Sequence, residues 1–158
     1  MTAGDRGPPP LRPFGLVLHH DGSWTHEGLP IRHPGLRRRF DRAVRYLPEE
    51  GVYVVQVGRY RGQIEVEEAA FFVRDLDLAT GRVHLSDGSE APLEPASLRL
   101  SPRDGALLCT VKRELVPGGL PARFRQAVHA ELLAAVEEER GGLGLRAGGA
   151  WHALPPLG

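Results

Sequence analysis

The chain has 158 residues, 41% hydrophobic and 25% charged, with 20 basic side chains against 20 acidic ones. That balance excludes a fully disordered chain, and it excludes a global field that would draw in nucleic acid or anionic lipid. A lone cysteine, Cys109, rules out an intramolecular disulfide, and no run resembles a secretion signal or a membrane span, so a soluble cytoplasmic protein is expected.

Residues 1–13 are rich in Pro and Gly and are expected to form a disordered tail. Two strand-like runs then flank Asp21-Gly22, a strong hairpin signal. With a two-residue loop, His19 opposes Trp24 and Val17 opposes His26, which gathers those four side chains on one face. Pro34 opens a helix whose stripe is Leu36, Phe40, Ala43, Val44 and Leu47, stopped by Pro48 and Gly51. A strand over 52–58, a turn near Arg61-Gly62 and a strand over 63–68 follow. In the last of these, Glu65 and Glu67 share a face.

Residues 71–78 and 82–86 read as a further hairpin, and Asp87-Gly88 as another turn. Strands over 97–100 and 106–112 flank Asp104-Gly105. Pro121 is expected to open the longest helix, over about 121–140, with Phe124, Ala127, Val128, Leu132, Ala135 and Val136 inward and Gly141-Gly142 at its end. A last hairpin turns at Gly148-Gly149.

An internal repeat organises these elements. Leu16-Val-Leu18, Asp21-Gly22, Gly35-Leu36, Arg39-Phe40 and Ala43-Val44 recur in order as Leu98-Arg-Leu100, Asp104-Gly105, Gly119-Leu120, Arg123-Phe124 and Ala127-Val128, at a spacing of 82 to 84 residues. The reading is an α+β fold of two structurally similar hairpin–helix–hairpin halves, with predominantly antiparallel sheets and one amphipathic helix per half. The halves are residues 14–95, which include a connecting hairpin, and 96–158.

Distributed motifs carry a family likeness. His20-Asp-Gly-Ser-Trp24, Glu27-Gly-Leu-Pro-Ile31, residues 53–67, Leu85-Ser-Asp-Gly88, Cys109-Thr-Val-Lys112 and Ala122-Arg-Phe124 make the chain similar to a bacterial family, domain of unknown function 1285. The resemblance spans about residues 14–154. It implies two structurally similar α+β halves and a suggested role in signal transduction, with no established activity or cofactor.

Candidate chemistry is sparse. His19, His20, His26 and Glu27 are zinc-ligand types, but the expected pairing splits them between two faces, so neither a metal nor another cofactor is expected. Asp21, Asp87 and Asp104 precede glycines, where carboxylates fix turns. Glu65 and Glu67 could do acid–base work if one were buried; a solvated face or pairing with arginines is the simpler reading. Arg37-Arg38-Arg39 with Arg42 and Arg45 could bind phosphate or an acidic partner, while the zero net charge disfavours nucleic acid. Arg39 and Arg123, before the repeated phenylalanines, are read as braces between helix and sheet. The glycines of Gly141-Gly-Leu-Gly144 follow a helix and do not fit a dinucleotide loop, and Cys109, in a strand, is read as buried and inert.

The leading expectation is a non-enzymatic regulatory module that binds a small ligand or a protein partner in a cleft between the halves. Trp24, His26, Arg39 and Glu67 are the candidate ligand-binding residues, and no catalytic residue is assigned. The alternative is a hydrolase using a His/carboxylate set such as His26 with Glu67. A weaker one is phosphate or nucleic-acid binding through the arginines of the first helix.

Overall fold

Short runs of alternating apolar residues, punctuated by glycines, make strands the commonest regular structure among the described residues. The computed structural model describes residues 13–57 and 60–157, so the expected tail lies outside the described residues except for Pro13, which opens the first strand. Sheet one holds β1 (Pro13–Leu18), β2 (Trp24–His26), β3 (Leu29–Pro30), β4 (Val44–Leu47), β5 (Val52–Val57) and β6 (Tyr60–Val66), in the order β3-β2-β1-β6-β5-β4. Helix α1 (Pro34–Ala43) connects β3 to β4. Its first turn is capped by His33, whose Nδ1 accepts from the Leu36 N–H at 3.2 Å, and Pro34 follows the cap as expected.

Sheet two holds β7 (Phe71–Asp77), β8 (Arg82–Leu85), β9 (Glu90–Pro92), β10 (Arg99–Leu100), β11 (Leu107–Val111) and β12 (Leu120–Phe124), in the order β10-β11-β12-β7-β8-β9. A single 3-10 turn, Pro95–Ser97, stands where α1 stands in sheet one. Helix α2 (Gln126–Ala134) and a small sheet of β13 (Glu137–Glu139), β14 (Gly142–Ala147) and β15 (Ala150–Ala153) complete the described chain. No helix among the described residues is long and apolar enough to cross a membrane.

Each large sheet is two three-strand meanders joined by one parallel pair, β1 with β6 and β7 with β12. Both ladders run one residue further. The Glu67 N–H donates to the Leu18 carbonyl at 3.0 Å, and the Arg125 N–H donates to the Val73 carbonyl at 3.2 Å. Glu67 and Arg125 therefore hold matched posts in the two sheets. The α+β class, with two similar halves and mostly antiparallel pairing, is the fold found.

Its internal boundaries differ from the expected ones. The chain passes from sheet one to sheet two between Val66 and Phe71, and the expected division at residues 95 and 96 falls inside sheet two. Segments 82 to 84 residues apart are not structural equivalents: Phe40 is helical, whereas Phe124 ends β12. Leu120, Ala122 and Phe124 alternate with the half-buried Pro121 and Arg123, and that two-residue period marks a strand. Pro121 thus sits in a sheet rather than opening a helix, and α2 is confined to Gln126–Ala134. Only Val128 and Leu132 of its expected stripe are buried within it.

Helix α1 is shorter than its apolar stripe. From Val44 the chain becomes β4, where Val44 pairs with Val55 and Tyr46 with Tyr53. Cross-strand packing of β-branched and aromatic side chains outweighs helix continuation here; the two tyrosine rings meet edge to face at 4.9 Å. Arg61 and Gly62 lie within β6, paired with Gln56 and Val55, and not in a turn.

The first hairpin differs by one residue, with large effect. The His19 N–H donates to the Ser23 carbonyl at 2.8 Å, so the loop is the three residues His20, Asp21 and Gly22. Gly22 takes a φ of +91°, and the Asp21 carboxylate accepts from the Ser23 N–H at 2.9 Å. Leu18 then opposes Trp24, and Leu16 opposes His26. A one-residue slip flips every side chain, so Trp24 joins the core face with Leu16 and Leu18 while His19 shares the other face with Val17 and Thr25.

One continuous core includes residues of all three sheets, among them Leu18, Trp24, Phe71, Leu107 and Leu145. Cys109 is fully buried, and burial pushes its thiol up to about 12. Beside the core, Lys112 Nζ lies 2.8 Å from Asp87 Oδ2, donates to Ser89 Oγ at 3.1 Å and stands 4.6 Å from the Phe71 ring centre.

Candidate functional site

Charged side chains collect at the seam between the sheets, where the β1–β2 turn approaches the β10–β11 turn. Glu67, just past β6, is the hub. Its Oε2 accepts from His19 Nδ1 at 3.0 Å, and its Oε1 accepts from His20 Nδ1 and from the His20 N–H at 3.2 Å. With Nδ1 of a neutral His19 donating, its Nε2 is left as acceptor, and the Thr25 hydroxyl donates to it at 2.9 Å. Arg103 comes from sheet two, with Nη1 3.6 Å from Glu67 Oε1. The bonds from His20 first, and then His19, hold the Glu67 carboxyl down at about 2.

This sets a pH dependence. A carboxyl held below its ordinary 4.5 contributes stability that is complete above that value and is lost as the pH falls toward about 2. The melting temperature of the wild type should therefore exceed that of Glu67→Gln at about pH 6, and the gap should close across that acidic window. Circular-dichroism melts at several pH values test this. A gap that ignores pH counts against the clasp.

Sheet two contributes a second knot. Arg123 grips Asp104 with both nitrogens, at 3.1 and 2.6 Å, and its Nη1 lies 3.7 Å from Glu68 Oε1. Paired contacts of this kind fix the guanidinium plane. Asp104 also accepts from the Ala106 N–H at 3.1 Å, so it is both turn carboxylate and ion-pair partner; the Arg123 bonds are the main reason its carboxyl sits below the usual range. Ser101 donates to Glu68 Oε2 at 2.7 Å, whereas the buried Glu68 Oε1 has no hydrogen bond among the described residues.

A cleft of about 600 Å³ opens beside these knots, lined by Asp21, Asp41, Phe72, Arg123, Arg125 and His129 among others. Asp41 points in from α1: its Oδ1 accepts from Trp24 Nε1 at 2.8 Å, and its Oδ2 lies 4.0 Å from Arg125 Nη2. Burial raises the Asp41 carboxyl above its ordinary value despite these partners. A neighbouring hollow of about 530 Å³ is lined by His19, Thr25, Arg32, Arg37 and Glu67 among others.

The four expected ligand-binding residues are not gathered in one place. Glu67 and Trp24 both line the 530 Å³ hollow at the seam. Trp24 is otherwise core, 1% exposed, and meets the cleft through its bond to Asp41. His26 lines a separate apolar groove with Leu16, Ile31, Leu36 and Phe40. Arg39 is exposed on α1 and has no carboxylate in ion-pair reach among the described residues, so it does not brace the helix as Arg123 braces the β10–β11 turn. The expected pair of His26 with Glu67 is replaced by His19 and His20 with Glu67, because of the hairpin slip. Among the described residues no group of three His, Cys, Asp or Glu side chains is arranged to hold a metal ion.

Sequence reasoning missed Asp41, Arg125 and His129. Asp41 carried a signal, being the one carboxylate in the basic helix. Arg125 and His129 carried none without knowing where α2 begins.

Two similar sheets around one core are also the fold that comparison with solved structures gives. A DUF1285 family protein from Silicibacter pomeroyi DSS-3 matches with a TM-score of 0.61 at 22% identity, over 94% of this chain and 88% of that one. A DUF1285 family protein from Shewanella baltica OS155 gives 0.49 at 16%, over 81% of this chain and 94% of that one. The first likeness shows a shared fold, the one implied by the motif resemblance. No protein-family model and no curated protein matches the chain.

Proposed function

We propose that the protein is a binding module whose seam cleft takes a small polar ligand bearing an anionic group, in a regulatory setting. One observation carries this: the cleft of about 600 Å³ sets Arg125 and His129 against Asp21 and Asp41. Arg123 is committed to Asp104 and Glu68, whereas Arg125 is 46% exposed and its nearest carboxylate is at 4.0 Å. An anionic group has Arg125 and His129 to meet, and a hydroxyl or ammonium has the aspartates. Concave sites with a few convergent polar groups are where small ligands bind.

A thermal-shift screen of carboxylates, phosphates and amino acids tests it. A ligand at a hundred times its Kd adds about 2.7 kcal/mol to stability, and Arg125→Ala with His129→Ala should abolish the shift. Shifts that survive that double substitution would remove the cleft from consideration.

A second reading, hydrolysis, is supported by the order Thr25 hydroxyl, His19 imidazole, Glu67 carboxylate beside the 530 Å³ hollow. That order can activate a hydroxyl for attack. Turnover of a p-nitrophenyl ester that disappears in both His19→Ala and Thr25→Ala would favour it over pure binding.

A further inference from the structure

Sheet one carries a second surface, separate from the seam. Leu16, His26, Ile31, Leu36 and Phe40 line an apolar groove of about 310 Å³. Leu16, His26 and Leu29 are cross-strand partners on β1, β2 and β3, so their side chains form one row on one face. Leu29 is 72% exposed and Leu36 is 39% exposed. β3 is also an edge strand of its sheet.

Uncompensated charge borders the groove on α1: Arg39 is exposed and has no carboxylate in ion-pair reach among the described residues. Asp41, the only acid of α1, is turned toward Trp24. Arg39 follows Leu36 by three residues, which sets the two side by side on the helix surface. Exposed apolar side chains such as Leu29 and Leu36 mark an interaction site, and an unpaired guanidinium beside them favours a carboxylate. An occupant with a carboxylate and an apolar side chain meets both.

We propose that this groove docks an acidic peptide segment of a partner protein, an apolar side chain seated against Leu36 and Phe40 and a carboxylate meeting Arg39. The concavity favours an inserted side chain over a bilayer, which offers no anchor to fill it. Phosphates alone would leave the apolar row uncovered, which disfavours nucleic acid. Docking here is independent of the seam cleft.

A random dodecapeptide display library, panned against the full chain, tests the proposal. Enriched peptides should place Asp or Glu around a Leu, Phe or Trp and should lose affinity as salt rises. Binding should fall about tenfold or more in Leu36→Ser and in Arg39→Glu. Both positions are exposed, and unchanged near-ultraviolet circular dichroism verifies that each variant is folded. The proposal is overturned if no peptide enriches, if the enriched peptides lack an acidic excess, or if they bind both variants equally well. It is equally overturned if phosphatidylserine vesicles or duplex DNA are bound in preference, or if Leu36→Ser merely abolishes self-association.

Discussion

Lys112→Met should lower the unfolding free energy by about 3–5 kcal/mol, the cost of stranding one member of a buried ion pair. The side chains of Lys112 and Asp87 are only 11% and 7% exposed. Burial alone would push the Asp87 carboxyl up, but the bonds from Lys112 and Ser89 outweigh it and leave the carboxyl below its ordinary value. Removing the ammonium takes away the largest of the influences that oppose burial. Adding Asp87→Asn should recover much of the loss, because the orphaned charge goes with it. Urea unfolding of the two single variants and the double variant measures this coupling. A single-variant loss below about 1 kcal/mol would show that water already screens the pair.

Trp24→Ala should cost about 3–5 kcal/mol, as large-to-small core substitutions of aromatic residues do. The ring is buried opposite Leu18, with its centre 5.4 Å from that of Phe40, and its N–H serves Asp41. Trp24→Phe retains an aromatic side chain and loses the donor, so about 1–3 kcal/mol is expected from the unsatisfied carboxylate. These values make Trp24 a strut behind the cleft. If Trp24→Phe instead weakened ligand binding with stability unchanged, Trp24 would be a contact residue after all.

Much of the architecture was legible from local chemistry. Asp87-Gly88, Asp104-Gly105 and Gly148-Gly149 all mark turns, and the last is a two-residue hairpin loop with φ of +61° and +79°. Pro34 starts α1, and Ile64 alternates inward beside the exposed Glu65. The misreadings come from non-local choices. Val44 fits a helical stripe equally well until β5 offers it a partner. Leu120, Ala122 and Phe124 fit a strand period, yet Pro121 drew the helix reading. Loop length at Asp21-Gly22 depends on which carbonyl the His19 N–H finds. That single bond decides whether His19 faces Trp24 or Glu67, so the site was less legible than the fold.

The shared core also bears on the binding proposed for the seam cleft. Leu18 and Trp24 from one sheet, Phe71 and Leu107 from the other and Leu145 from the third belong to one cluster of buried residues. Interiors at crystalline density do not shear cheaply, so a clamshell movement about the 67–70 link would tear a shared interior apart. If a ligand binds as proposed, its effect is expected as damped fluctuation rather than a swing, and order parameters, rather than a change in radius, are where it would register.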